Sequence, residues 1–221
     1  MASVRQIHPA VTTDIVVFTL REEQLKLLLV RRAGGPYQGR WALPGGLVGI
    51  EESLDAAAAR QLEQETGVSG VYLEQLYTFG RPDRDPRERV ISVAYYALIP
   101  SDRIQLRAAT DAEAVGWFAL AELPELALDH SEIVDTAQER LAAKLEYSTI
   151  AFQFMPAHFT LSELQAVYET ILRQPLDKRN FRKRVQALKR LEDTGRLRRD
   201  GAHRPAKLYR VKEPGKVEII K

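Results

Sequence analysis

Between Gly45 and Val68 the chain runs GGLVGIEESLDAAAARQLEQETGV: a glycine-rich approach, a serine ahead of a run of helix formers, and a glycine after it. Ser53 suits an N-cap and Gly67 a C-terminal stop, so the spacing predicts a helix from Ser53 to about Thr66 with Leu54, Ala58 and Leu62 facing inward. The flanking segments say what that helix packs on. DIVVFTL and KLLLVRR, separated by REEQ, predict a hairpin, and GGPYQGR predicts a loop after it. VYLEQLYTF and RVISVAYYALI predict two more strands, joined by the polar, proline-rich loop GRPDRDPRE. A second helix is expected from Asp129, with Glu132 in capping-box spacing and Ile133, Ala137, Leu141 and Leu145 on one stripe. The fold class so far is α+β.

Beyond Tyr147 the character changes. Thr160 and Glu163 stand in capping-box spacing at the head of a helix that Pro175 must end. Asp177 caps the next helix, expected to run to Gly195 with Phe181, Val185, Leu188 and Leu191 as its apolar stripe. LRRDG and HRPAKLYRV then predict two strands around a turn at Asp200 and Gly201. Helix, turn, helix and hairpin is the order of a winged helix-turn-helix. The expected division is residues 8–146 and 147–221. Charge divides in the same way: residues 1–150 hold 15 Lys and Arg against 22 Asp and Glu, whereas residues 151–221 hold 17 against 8. A basic tail on an acidic body predicts that the tail meets a polyanion.

Other chemistries are excluded or disfavoured. With no cysteine there is no disulfide, thiol nucleophile or thiolate metal site, and the four histidines are too scattered for zinc spacing. No apolar run approaches the roughly 18 residues of a bilayer span, and MASVRQIHPAVTTD lacks a signal-peptide core. A cytoplasmic, nucleoid-associated protein with no membrane partner is expected.

Gly46, Glu52, Arg60, Leu62, Glu65, Gly67 and Val68 fall at the fixed spacings of the Nudix box, and WALPGG and VGWFALAELP resemble its flanking elements. Residues 8–146 thus resemble a Nudix domain, which implies an α/β/α sandwich around a mixed sheet. In Nudix hydrolases the glutamates of this box bind magnesium ions that activate a diphosphate. Here two of three are Gln61 and Gln64, beside Glu65 on one helical face. Two unit charges at about 4 Å attract by roughly 4 kcal/mol at an effective dielectric near 20, so losing two carboxylates should weaken magnesium binding severely. No resident metal, required cofactor or catalytic residue is expected. What the resemblance leaves is a ligand pocket framed by Gly45, Gly46, Gln64 and Glu65, with Arg31 or Arg32, Arg60 and the loop arginines Arg81, Arg84 and Arg89 placed for a diphosphate, and Trp41, Tyr37 or Tyr77 for stacking.

In the tail, Lys178, Arg179, Asn180, Arg182, Lys183 and Gln186 lie on the predicted recognition helix, where they would reach bases and phosphates in the major groove. Arg198, Arg199, His203, Arg204 and Lys207 lie in the wing, suited to phosphate or the minor groove. TLSELQAVYETIL, LDKRNFRKRV and HRPAKLYRV resemble the C-terminal domain of the Nudix-related transcriptional regulators, NrtR. Membership implies a homodimer that binds a palindromic double-stranded operator, regulates genes of NAD or pentose metabolism as a repressor, and responds to ADP-ribose or a related nucleotide or sugar effector. Two other functions stay open: a magnesium-dependent ADP-ribose pyrophosphatase using Glu52, Glu65 and loop carboxylates, and an adaptor whose basic tail binds protein.

Overall fold

The computed structural model describes residues 8–103, 112–199 and 205–220. The predicted hairpin is formed by β1 (Ala10–Arg21) and β2 (Gln24–Arg32), turning at Glu22 and Glu23 with φ of 54° and 58°. A two-residue turn with both φ positive matches the natural twist of paired strands. β3 (Trp41–Ala42) then pairs with β2, and β4 (Gly45–Leu47) with β1. Strands of two and three residues are too short for an alternating pattern, so sequence reading passes over them. α1 (Leu54–Thr66) follows as expected, its Ala56 N–H donating to Ser53 Oγ and its end marked by Gly67 at φ 67°. β5 (Tyr72–Phe79) and β6 (Val90–Ile99) flank the expected loop, and β7 (Ala112–Ala119), unassigned from sequence, lies against β2.

Among the described residues, seven strands make one mixed sheet in the order β3-β2-β1-β6-β5, with β4 on β1 and β7 on β2. Only the β1–β6 pairing is parallel within it. Successive side chains of a strand point to opposite faces. Ile15 and Val17 therefore pack with Ala58 and Leu62 of α1, while Val16 and Phe18 pack on the other side with α2 (His130–Tyr147). Covering both faces yields the expected α/β/α sandwich and explains why Ile15, Val16, Val17 and Phe18 of β1 are consecutive and all buried. Ile133, Ala137, Leu141 and Leu145 of α2 are at most 1% exposed. Each of the large ones contributes about 1.5–3 kcal/mol by burial.

One detail of α2 departs from expectation. Asp129 stands at the N-cap position but makes no side-chain cap, and Glu132 completes no capping box. The Asp129 carboxylate is turned instead to a buried arginine described below.

After α2, a single 3-10 turn at Ile150–Phe154 is wholly buried and seats the second half of the chain. α3 (Leu161–Leu172) carries the predicted capping box, with Thr160 and Glu163 each satisfying the other's backbone N–H. α4 (Lys178–Ala187) is capped by Asp177, whose Oδ1 accepts from the Asn180 N–H at 2.8 Å. It ends sooner than expected. Lys189 takes a left-handed φ of 54° and the next residues form β8 (Leu191–Arg198), paired with β9 (Ala206–Val211). Leu191 is thus a strand residue rather than the last rung of a helical stripe, and Gly195, at φ 71°, lies in the irregularity of β8 rather than at a helix terminus. Tertiary pairing with β9 overrides the helical spacing of Phe181, Val185, Leu188 and Leu191. The Asp200–Gly201 turn, with His203 and Arg204, lies outside the described residues.

Phe159 and Tyr209 exchange backbone hydrogen bonds of 3.0 and 2.7 Å, which ties β9 to the start of α3. Tyr168 of α3 meets Phe181 of α4 edge to face at 5.2 Å. One buried cluster runs from Val16 through α2 to Phe181 and Val185, so the two halves share a core. No helix among the described residues is long and apolar enough to cross a membrane.

Candidate ligand pocket and nucleic-acid interface

β4 brings Gly45 opposite Asp14 and Gly46 opposite Thr13 on β1. A Cβ on Gly45 would lie 2.2 Å from the Thr13 carbonyl and 2.8 Å from Asp14 Oδ1, so only glycine lets β4 come so close. Behind it is a cavity of about 190 Å³ lined by residues of β1, β2, β4, the 80–89 loop and the start of α2, among them Thr12, Asp14, Arg32, Leu43, Gly46, Arg84, Arg87 and His130. A larger cleft of about 820 Å³ lies between the sheet and the winged helix, lined by Tyr72, Met155, His158 and Arg210 among others.

The floor of the smaller cavity is a buried charge network. Arg84, its side chain 2% exposed, donates from Nε to Asp129 Oδ2 at 2.9 Å and from Nη2 to Asp129 Oδ1 at 2.7 Å. It also donates to Asp14 Oδ2 at 3.3 Å, and Ser92 Oγ donates to the same oxygen at 2.5 Å. Burial works against the arginine's charge, but the hydrogen bond to Asp129 and the fields of Asp14 and Asp129 outweigh it and raise its pKa. His130 completes the group. Its Nδ1 accepts the Leu43 N–H at 2.8 Å, so the ring proton belongs to Nε2, which sits 3.7 Å from Asp14 Oδ1. Burial holds the His130 pKa below its ordinary value, more than Asp14 and Asp129 can offset. Asp85, also buried, is held below the usual carboxylate range by its hydrogen bonds to Arg87, at 2.7 Å from Nη2.

The helix of the glycine-framed motif is internally satisfied. Arg60 clamps Glu52 through Nε and Nη2 at 2.7 and 2.8 Å, donates from Nη1 to Gln64 Oε1 at 3.2 Å, and reaches the Leu47 carbonyl. The arginine and the Gly49 N–H together bring the Glu52 pKa down to about 2. Gln61 is buried with its Nε2 beneath Gly46, where a Cβ would meet it at 2.5 Å. This donor set does not fit a pair of magnesium ions. One carboxylate is already neutralised by an arginine, two positions offer only amides, one of which is engaged by Arg60, and among the described residues no group of three or more His, Asp or Glu could enclose a cation.

In the second half, Lys178, Arg179, Asn180, Arg182, Lys183 and Gln186 are all exposed along α4, while Phe181 and Val185 face inward. Gln165 and Glu169 of α3 bond the Leu176 carbonyl and N–H at 2.9 and 2.8 Å, which fixes the turn that presents α4. Arg184 faces elsewhere: its Nη2 donates to the Glu146 carbonyl at the end of α2, at 2.7 Å. In the wing Arg198 pairs with Glu163 at 2.6 Å and Lys207 with Asp193 at 2.7 Å.

Residues 10–137 match the NUDIX domain family, and residues 151–211 match the NrtR DNA-binding winged helix domain. The ADPR responsive transcriptional repressor NtrR of Acinetobacter baylyi is 38% identical over 206 residues, 91% of this chain and 82% of that protein. This chain belongs to the NrtR family.

Shewanella oneidensis NrtR, solved in complex with a 27mer DNA, is 39% identical with a TM-score of 0.83, covering 91% of this chain and 93% of that one. The Nudix domain of the same protein, solved with ADP ribose, is 37% identical with a TM-score of 0.56 over 64% of this chain and 94% of that one. The Nudix half is also 37% identical over 128 residues to the ADP-ribose pyrophosphatase of Methanocaldococcus jannaschii, 58% of this chain and 72% of that enzyme.

Within this NrtR-family fold, the structure brings only some of the expected ligand residues together. Arg32, Gly45 and Gly46 line the cavity. Arg60, Gln64 and Glu65 lie on α1, and Trp41 packs edge to face on Phe118 at 4.7 Å. Arg81 pairs with Glu132 at 3.5 Å, and Arg89 donates to the Arg81 carbonyl at 3.0 Å. Sequence reading missed Asp14, Asp129 and His130 and placed Arg84 only as one of several loop arginines. A signal existed for Asp14: a carboxylate at the head of the run DIVVFTL, entering a strand that is otherwise apolar, must be paired or hydrogen-bonded.

Proposed function

We propose that this protein is a DNA-binding transcriptional repressor of NAD or sugar metabolism genes that senses ADP-ribose through residues 8–146 and acts through the winged helix of residues 147–221. The observation that carries the reading is the path between the two: α2 begins at the cavity with His130 and ends beside α4, where Arg184 holds the Glu146 carbonyl. A Nudix pocket with an amide-substituted metal face, joined through α2 to an exposed basic α4, suits a sensor that keeps its signal intact. The names of the A. baylyi and S. oneidensis relatives support both the nucleic acid and the effector.

The protein acts as a homodimer in the cytoplasm. One ten-residue recognition helix reads few base pairs, and a twofold axis presents two helices to half-sites about one helical turn apart. Lys178, Arg179, Asn180, Arg182, Lys183 and Gln186 enter the major groove; Arg198, Arg199, His203, Arg204 and Lys207 contact phosphates or the minor groove from the wing. ADP-ribose lies against the cavity with Arg32, Gly45 and Gly46, its diphosphate and adenine spread over Trp41, Arg60, Gln64, Glu65, Arg81 and Arg89. Effector binding moves α2 and with it the spacing of the two α4 helices, and the free energy of that change equals the difference in effector affinity between the two arrangements. No metal or cofactor is required, and hydrolysis of ADP-ribose is absent or slow.

Fluorescence anisotropy with DNA from upstream of this gene and of NAD-synthesis genes, with and without ADP-ribose, tests the reading. Binding that falls steeply between about 50 and 200 mM salt and changes with ADP-ribose supports it; no DNA retention at low salt sinks it. The likeness to the M. jannaschii pyrophosphatase, with Glu52 and Glu65 retained, favours a second reading as a hydrolase. Steady release of AMP from ADP-ribose and Mg²⁺ at ordinary enzymatic rates would establish it.

A further inference from the structure

The segment that follows β9 runs from the wing back to the end of α2. The Thr149 N–H donates to the Glu218 carbonyl at 2.9 Å, and the Glu218 N–H donates to Thr149 Oγ1 at 2.9 Å. The Ile220 N–H donates to the Tyr147 carbonyl at 2.6 Å, and Ser148 forms an antiparallel bridge with Ile219. Ser148 and Thr149 are buried, and Val217 packs against the core that the two halves share. The carbonyls of a helix's last turn have no partners within the helix. In α2 two of them are satisfied from the second half of the chain: Glu146 by Arg184 Nη2 and Tyr147 by the Ile220 N–H.

The Glu218 side chain reaches in another direction. It pairs with Arg190, just past the corner at Lys189 where α4 gives way to β8, and lies 3.3 Å from Lys216 Nζ. The Arg190 carbonyl also accepts the Lys212 N–H at 3.0 Å, so the same corner is tied to the start of the segment. Glu218 therefore touches the end of α2 with its backbone and the end of α4 with its carboxylate. Held to α2 by the Arg184 hydrogen bond alone, α4 could turn about that bond. A second hold beyond the end of α4 removes this freedom, and a rotation of α2 then carries α4 with it. Arg190 is 43% exposed, and so open an ion pair adds little to stability, but fixing a direction requires little.

We infer that Glu218 is a positioning residue that couples the recognition helix to α2: by bridging Thr149 and Arg190 it makes α4 follow the end of α2 as one body. The inference rests on the reading of α2 as the carrier of the ADP-ribose signal. It also assigns Arg190 to this bridge rather than to DNA.

Anisotropy titrations of the full-length protein with DNA from upstream of this gene, with and without ADP-ribose, test it through the ratio of the two dissociation constants. Glu218→Gln keeps the backbone bonds to Thr149 and removes the charge facing Arg190. Its ratio should fall about threefold towards one, with ADP-ribose affinity unchanged in calorimetry. Arg190→Gln should do the same, and the double variant should be no further from wild type than either single, as when two changes remove one interaction. Lost stability alone leaves the ratio where it was. A wild-type ratio in Glu218→Gln overturns the proposal and leaves the sensor reading standing; wild-type protein whose DNA affinity ignores ADP-ribose removes both. Should Arg190→Gln weaken DNA binding equally in both conditions and lower the salt slope, Arg190 is a phosphate ligand and the proposal falls. If Glu218→Gln does not fold, Thr149→Val decides in its place, since it deletes the Oγ1 acceptor and alters no charge.

Discussion

Arg184 Nη2 lies 2.7 Å from the Glu146 carbonyl, so α4 is fastened to the last turn of α2, the helix whose first residue, His130, lines the 190 Å³ cavity. An arginine on α4 would ordinarily be counted as a DNA contact. This one caps a helix C-terminus, where the carbonyls of the final turn lack intrahelical partners and favour a cation.

Replacing Arg184 with Ala should therefore leave ADP-ribose binding within about twofold of wild type and reduce the effect of ADP-ribose on DNA affinity by about 0.5–2 kcal/mol. Anisotropy titrations with and without effector measure it. If Arg184 is only a phosphate ligand, the variant instead loses affinity equally in both conditions, and its salt slope falls by about one.

Arg84, its side chain 2% exposed, is shared by two aspartates at the floor of the cavity. Arg84→Met should cost about 3–5 kcal/mol of stability in urea unfolding, because it leaves buried carboxylates uncompensated. Adding Asp129→Asn to Arg84→Met should recover part of the loss. A single variant as stable as wild type would mean that the network is open to water.

Stability should fall on the acid side of neutrality. The His130 pKa is depressed in the fold by burial, with Asp14, Asp129, Arg84 and Arg32 facing the ring from β1, the N-cap, the loop and β2. The unfolded chain then takes up a proton near the ordinary value of about 6.5 while the folded one does not, so stability is full above that pH and declines as pH falls below it, by up to about 1.4 kcal/mol per unit. Urea midpoints at pH 7.5 and 5.5 should differ more for wild type than for His130→Asn.

Restoring carboxylates tests the metal argument. Gln61→Glu with Gln64→Glu should raise Mn²⁺ affinity more than tenfold and bring AMP release from ADP-ribose above the wild-type level, since charge replaces dipole at two ligand positions. Wild type that already turns over ADP-ribose as fast as the double variant would remove the basis for calling the pocket a sensor.

Gly45→Ala should abolish ordered β4 pairing, because the added methyl meets the Thr13 backbone carbonyl at 2.2 Å and backbone cannot rotate aside as a side chain can. Gly46→Ala should be milder, its obstacle being the end of the Gln61 side chain. Loss of near-UV circular dichroism and of ADP-ribose binding in the first variant, and partial retention in the second, is the expected pattern.

Much of this was legible in the order of residues. The hairpin, the capped α1, the apolar stripe of α2, the capping box of α3 and the Asp177 cap of α4 all arise from neighbours within a turn or two of each other, where local geometry leaves few choices. The exposed basic face of α4 followed from the same periodicity. The length of α4 did not: Leu191 continues the helical spacing, and only β9, distant in sequence, draws it into a strand.

The sequence by itself determined the two-part architecture, the amide substitutions at Gln61 and Gln64, and the exposed basic face of α4, because each depends on residue type and short-range spacing. Tertiary structure alone decided that Asp14, Arg84, Asp129 and His130 meet in one buried network, and that Arg184 serves α2. Those groups stand up to 116 positions apart in the chain, between Asp14 and His130. A carboxylate's partner at such a distance is set by which strands pair and which helix covers them, and no local preference of the side chain encodes that.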